Sequence, residues 1–133
     1  MSRKWTHTAA FAHFGTKPKN VQWSWSARND ATNTVVVTFW QDQFSRKDGR
    51  LVYERPGFDP STPDKRPGFS ELMENLAWAR DNCEGRFSVI IAKAKNPLAH
   101  PRSIEECFPS KMLMRLKHLN ETNGAFLAEA EGI

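Results

Sequence analysis

The chain has 133 residues, 39% of them hydrophobic, which suits one packed domain and excludes a disordered chain. Its net charge of +4 is moderate, so it favours a polyanionic partner without requiring one. Two cysteines are too few for a disulfide framework, and no apolar run is long enough to span a bilayer. We therefore expect one domain over residues 1–133, in the cytoplasm, with no signal peptide and no membrane partner.

The first half of the chain predicts a short helix followed by strands. "THTAAFAHFG" can be capped by Thr6 or Thr8 and ended by Gly15 in the left-handed conformation. "NVQWSWSAR" alternates apolar and polar residues, and the turn "NDATN" joins it to the β-branched stretch "TVVVTFWQD", so the two predict a hairpin. The turn "KDG" precedes a short strand, "RLVYE". The proline-rich stretch after it predicts an ordered loop pinned by Phe58 and Phe69.

The second half begins with the strongest helical pattern, "SELMENLAWARDNCEG", with Ser70 as its N-cap and Gly85 at its end. "FSVIIAKAK" is apolar on both faces and predicts a central strand. "SIEE" reads as a capping box, Ser103 with Glu106, that opens one helical turn. "SKMLMRLKHL" and "AFLAEAE" then flank the turn "NETNG" as a hairpin. The fold class we expect is α+β: a small, curved, mostly antiparallel sheet or pseudo-barrel of about six strands, with two helices packed against it.

The first hairpin predicts where its tryptophans point. If Trp25 lies opposite Val37 and Trp23 opposite Phe39, one face is wholly apolar and belongs to the core. A slip by one residue mixes the two faces and is disfavoured. Trp40 then lies on the other face among polar residues. It is either covered by a helix or loop, or it is a stacking platform with hydrogen-bonding neighbours.

A stacking platform among polar side chains suits a nucleobase, which is flat and carries donors and acceptors on its edge. The candidate ligand-binding residues are Trp40, Trp23, Trp25, Asp42, Ser24, Ser26 and Asn20. The candidate phosphate contacts in the flanking stretches are Arg28, Lys17, Lys19, Arg46 and Lys47. A base taken from a duplex would have to be flipped out of the stack.

The segments "NVQWSWSA", "VVVTFWQD" and "ARDNCEGRFSVIIAKAKNP" resemble, in their architecture, the PUA-like superfamily, which includes the EVE, ASCH, YTH and SRA domains. The resemblance implies a reader of modified bases or of RNA. It implies a flipped or single-stranded base in an aromatic cage, with Trp40 and one of Trp23 or Trp25 as walls. It also implies a place in a bacterial or phage defence system, with a separate protein as the effector.

Two other functions remain open. A protein-interaction or assembly module would use "AFLAEAEGI" as an exposed edge strand that pairs with another chain, including a second copy in a homodimer. A small metal-dependent nuclease would draw acids from Asp42 and Glu54 and a lysine from Lys93 or Lys95. Ile91 stands two residues before Lys93, and Lys93 two before Lys95, where that chemistry needs an acid, and no histidines have metal-ligand spacing. We therefore predict binding rather than catalysis, with no metal and no cofactor.

Overall fold

A computed structural model of the chain describes residues 5–19, 24–55, 67–99 and 104–131. Within these ranges the elements are α1 (His7–His13), β1 (Ser26–Asn29), β2 (Thr34–Trp40), β3 (Phe44–Lys47), β4 (Arg50–Arg55), α2 (Pro67–Asn82), β5 (Arg86–Ala94), β6 (Ile104–Leu119) and β7 (Phe126–Glu131). The strands form one open sheet in the order β1-β2-β5-β6-β7-β4-β3. Only the β2–β5 pair is parallel among these strands. The predicted α+β class is confirmed.

The connection between β2 and β3 shows that the sheet is strongly curved. The two strands are five positions apart in the sheet order, which would separate them by about 24 Å in a flat sheet. A single 3-10 turn, Gln41–Gln43, joins them. Four Cα–Cα steps from Trp40 to Phe44 cover about 15 Å at most, so a flat sheet cannot accommodate this link. The sheet therefore curls until its two halves face each other.

The concave face of the curled sheet holds the larger core. Phe39 of β2 stacks on Tyr53 of β4, with ring centroids 3.7 Å apart, and also meets Phe126 of β7 at 5.9 Å. α2 packs into the same core through Leu72, Met73, Leu76 and Ala79. Burial of one side of α2 in this core explains the spacing of its apolar residues in the sequence.

The convex face carries a smaller core beneath α1. Ala10 and Phe11 of α1 are buried against Val36, Ile90 and Cys107 of the sheet. Thr6 caps the helix as predicted, because its side chain accepts a hydrogen bond from the Ala9 backbone N–H at 3.0 Å. Gly15, just after the helix, has φ +75° and ends it in the left-handed conformation.

Three local predictions are wrong. α2 begins at Pro67, so Ser70 lies inside the helix and is not its N-cap. Glu105 and Glu106, which were expected in a helical turn, instead belong to β6, where Glu106 is paired with Lys93. β7 is an interior strand with β6 on one side and β4 on the other, so it is not the free edge that the assembly hypothesis needs. The pinning role of Phe58 and the capping role of Ser103 concern residues outside the described ranges.

Candidate functional site

The register of the first hairpin differs from the prediction by one residue. Ser26 lies opposite Val37, and the Thr38 backbone N–H donates to the Trp25 carbonyl oxygen at 2.8 Å. Trp25 is therefore opposite Thr38, and its side chain belongs to the convex face rather than to the concave core. The structure therefore shows the register shifted by one residue, which the alternation of apolar and polar residues had disfavoured.

A buried hydrogen bond accounts for this register. Ser26 faces α2, where it is fully buried and accepts a hydrogen bond from the Asn75 side-chain amide at 2.8 Å. Because a buried hydroxyl with a good partner is tolerated, a polar residue can occupy the core side of β1. The sequence pattern could not show this partner, since Asn75 lies 49 residues away in the chain.

Trp25 and Trp40, called the tryptophan pair below, meet on the convex face. Their ring centroids are 5.2 Å apart and their planes are inclined by 50°. Both residues are half-buried, so part of the surface of each remains exposed. Trp40 also packs against the convex core, which means that it is partly structural as well as partly exposed. Trp23 lies outside the described residues, so its place relative to the pair stays a prediction.

His7 of α1 completes this aromatic cluster. Its Nε2 lies 2.7 Å from the Thr38 hydroxyl, its ring stacks on Phe11 at 4.7 Å, and it meets Trp25 edge-on at 5.9 Å. Burial lowers the pKa of His7, so the neutral imidazole is favoured. The sequence analysis found no metal-ligand spacing among the histidines and did not select His7 as a site residue. Its spacing of four residues from Phe11 places both on one helix face and was the available signal.

Two candidate contacts lie away from the tryptophan pair. Ser26 points to α2, as described above. Arg28 is on the same side of β1, where its Nε donates to Asp30 at 2.9 Å and its guanidinium lies 5.3 Å from the centre of the Trp78 ring. Its Nη1 also donates to Asn75 at 3.2 Å. Arg28 is therefore engaged on the α2 side and does not lie beside Trp40.

The remaining basic candidates are exposed but spread over the molecule. Lys17 and Lys19 follow Gly15, whose carbonyl oxygen accepts a hydrogen bond from the Asn29 side chain at 2.9 Å. Asn29 is opposite Thr34, which is about 20 Å along β2 from Trp40. The last two, Arg46 and Lys47, are on the edge strand β3.

Further polar side chains lie at the carboxyl ends of β2 and β5, next to Trp40 in the chain and in the sheet register. Asp42 is exposed in the 3-10 turn directly after Trp40. Trp40 is opposite Ala92, and the next residue, Lys93, forms an ion pair with Glu106 at 3.2 Å. Ser24 is buried rather than open to a ligand, at 4% exposure, and Asn20 is outside the described ranges. Of the predicted edge readers that the structure describes, Asp42 is exposed, whereas Ser24 and Ser26 are buried.

The described residues offer no arrangement suited to metal or thiol catalysis. No group of three His, Cys, Asp or Glu side chains could hold a metal ion in these ranges. Glu54, an acid of the nuclease alternative, forms an ion pair with Lys47 at 3.3 Å. Burial raises the pKa of both Cys83 and Cys107, which disfavours the reactive thiolate. No described helix is long and apolar enough to cross a membrane.

Comparison of the chain with protein-family models, with curated proteins and with solved structures found no match.

Proposed function

We propose that the protein binds nucleic acid and stacks an unpaired or modified base on the tryptophan pair. The observation that carries this proposal is that Trp25 and Trp40 lie side by side, half-buried, on one face of the sheet. Indole rings are strong stacking platforms for bases, because every base has a flat polarizable face. The PUA-like assignment belongs to the same proposal, and the curved sheet with its two packed helices supports it.

The distance within the pair sets how a base would stack. Ring atoms that stack lie about 3.5–4.0 Å apart, so a base held between two rings needs about 7–8 Å between them. The two centroids are 5.2 Å apart, which is too close for such an insertion. The proposed mode is therefore stacking on the outer surface of the pair. The exposed carboxylate of Asp42, which follows Trp40, is the proposed acceptor for an amino group on the base edge.

The cations proposed to contact phosphates are Lys17 and Lys19, which follow the carboxyl end of α1. This helix begins beside Trp25, through His7, and ends near Gly15, with the exposed Lys17 and Lys19 just beyond it. Single-strand sites commonly cover about 4–16 nucleotides, so one strand can reach both the pair and these lysines. Arg28 is not part of this proposal, because it is engaged on the α2 side.

The proposal is tested by fluorescence anisotropy with labelled oligonucleotides of DNA and RNA, single- and double-stranded, plain and base-modified, at two salt concentrations. We expect binding that weakens as salt rises, since phosphate contacts release counterions. Trp40→Leu removes a stacking surface and should lower affinity by about 5- to 150-fold, the equivalent of about 1–3 kcal/mol per base.

The matched control is Trp78→Leu. Trp78 is also half-buried, but it lies on α2 beneath Arg28 and away from the tryptophan pair. This variant should keep the affinity of the parent protein. The proposal is refuted if no oligonucleotide binds at low salt and high protein concentration, or if the two variants lose affinity equally.

A further inference from the structure

Glu71 is a buried acid whose hydrogen-bonding groups are unused. The residue is 6% exposed, and both carboxylate oxygens are buried without a hydrogen-bond partner in the described part of the chain. A carboxylate can accept about four hydrogen bonds, and buried polar groups are almost always partnered. This side chain therefore calls for a specific explanation, and binding of a donor group supplies one.

The position of Glu71 on α2 places it in a polar stretch of the concave side. Residues 71, 75 and 78 are spaced by four and three, so they share one face of the helix. Asn75 on this face donates to the buried Ser26 of β1 at 2.8 Å, and Trp78 lies beneath Arg28. Glu71 thus lies one turn before Asn75, on the helix face that packs against β1.

The same face of α2 already contacts a planar group of the chain itself that carries several N–H donors, the guanidinium of Arg28. Arg28 donates from its guanidinium to the Asn75 side-chain oxygen at 3.2 Å and lies over the Trp78 ring at 5.3 Å. At the start of the helix, the Arg55 guanidinium lies 5.2 Å from the Phe69 ring centre. In the described residues, Glu71 belongs to no group of His, Cys, Asp or Glu side chains that could hold a metal ion, so the partner considered is an N–H donor.

We propose that Glu71 anchors a second binding site, for a small planar ligand that presents two adjacent N–H donors. A guanidinium group and the Watson–Crick edge of guanine both carry such a pair. A carboxylate accepts two parallel N–H groups at its two oxygens, which gives a short, directional, charge-assisted contact. Because Glu71 is so little exposed, the ligand must be desolvated on entry, and a mismatched edge would leave a buried acceptor without a donor. This site is separate from the tryptophan pair, which lies on the opposite face of the sheet.

Thermal shift and titration calorimetry on the full chain test the proposal with three probes: methylguanidinium, GMP and IMP. IMP lacks the exocyclic amine and offers only one of the two N–H donors. We expect methylguanidinium or GMP to raise the melting temperature, and IMP to bind at least about tenfold more weakly than GMP wherever GMP binds. Stronger binding of GMP would identify a guanine ligand, and stronger binding of methylguanidinium a guanidinium compound. The absence of any shift with all three probes would overturn the proposal.

Two variants assign the binding to Glu71. Glu71→Gln keeps the side-chain size but removes the carboxylate, so it should abolish the shift. Glu74→Gln is the matched control, because Glu74 is an exposed acid on the same helix, and it should keep the shift. Retained binding in Glu71→Gln would contradict the assignment. If that variant fails to fold, the Glu71 carboxyl carbon signal in NMR of the parent protein must move on addition of the probe, and an unmoved signal contradicts the proposal.

Discussion

The contact within the tryptophan pair can be measured as a coupling free energy. Replacing a fully buried aromatic residue by alanine typically lowers the free energy of unfolding by about 3–5 kcal/mol. Trp25 and Trp40 are each half-buried, so each replacement by alanine should lower it by less, about 1.5–3 kcal/mol. Their rings are 5.2 Å apart and inclined, which is an arrangement worth about 0.5–1.5 kcal/mol beyond area burial. The double variant should therefore lose less stability than the sum of the two single variants, by this amount.

The assay is urea unfolding followed by circular dichroism for the parent, both single variants and the double variant. Phe39→Ala is the reference for a core residue, because Phe39 is 2% exposed and stacks within the concave core. It should cost about 3–5 kcal/mol, more than either tryptophan. In the hairpin register predicted from the sequence, Trp25 would lie in the concave core, and Trp25→Ala would lower stability as much as Phe39→Ala does. A coupling below about 0.3 kcal/mol, which is ordinary additivity, would also refute the pairing.

Three further outcomes follow from the structure. Because burial lowers the pKa of His7, this imidazole binds a proton more readily in the unfolded chain, and the free energy of unfolding should fall as pH drops through about 6.5. His7→Gln should therefore weaken the dependence of the urea midpoint on pH in that range. Gly85→Ala should lower the melting temperature more than Gly49→Ala: both have positive φ, but only at Gly85 would the new Cβ lie 3.1 Å from a backbone oxygen. Asn75→Ala leaves the buried Ser26 hydroxyl without its donor and should cost about 1–3 kcal/mol in chemical unfolding.

Elements with strong local signals were predictable from the sequence. The apolar spacing of α2 and the continuous apolar run of β5 both gave the right element type, since each pattern reflects burial on known faces. The edge strand β3 was missed although its turn was recognised. Asp48 and Gly49 both have positive φ, as a two-residue hairpin turn requires, so the turn itself predicts a strand on each side.

The features that were predicted wrongly depend on partners distant in the chain. The capping-box pattern around Glu106 is a local preference, and it is overridden because Cys107 and its neighbours pair with β5 over many residues. The hairpin register depends on Ser26, whose burial is compensated by Asn75 on α2. The register also decides which residues belong to the site. It places Trp25 beside Trp40 on the convex face, and it places Ser26 and Arg28 on the opposite side of β1, facing α2. The alternation of apolar and polar residues contains no information about a hydrogen bond to a residue distant in the chain, such as the one from Asn75 to Ser26.

Contact between the tryptophan pair and a nucleobase can be observed through the indole N–H signals in NMR. Phe variants at positions 25, 40 and 78 assign the signals, and the protein is then titrated with the tightest-binding oligonucleotide. We predict that the signals of Trp25 and Trp40 shift strongly while the signal of Trp78, on α2, does not. Binding that shifts Trp78 and leaves Trp25 and Trp40 unchanged would contradict the account and place the interface on the α2 side.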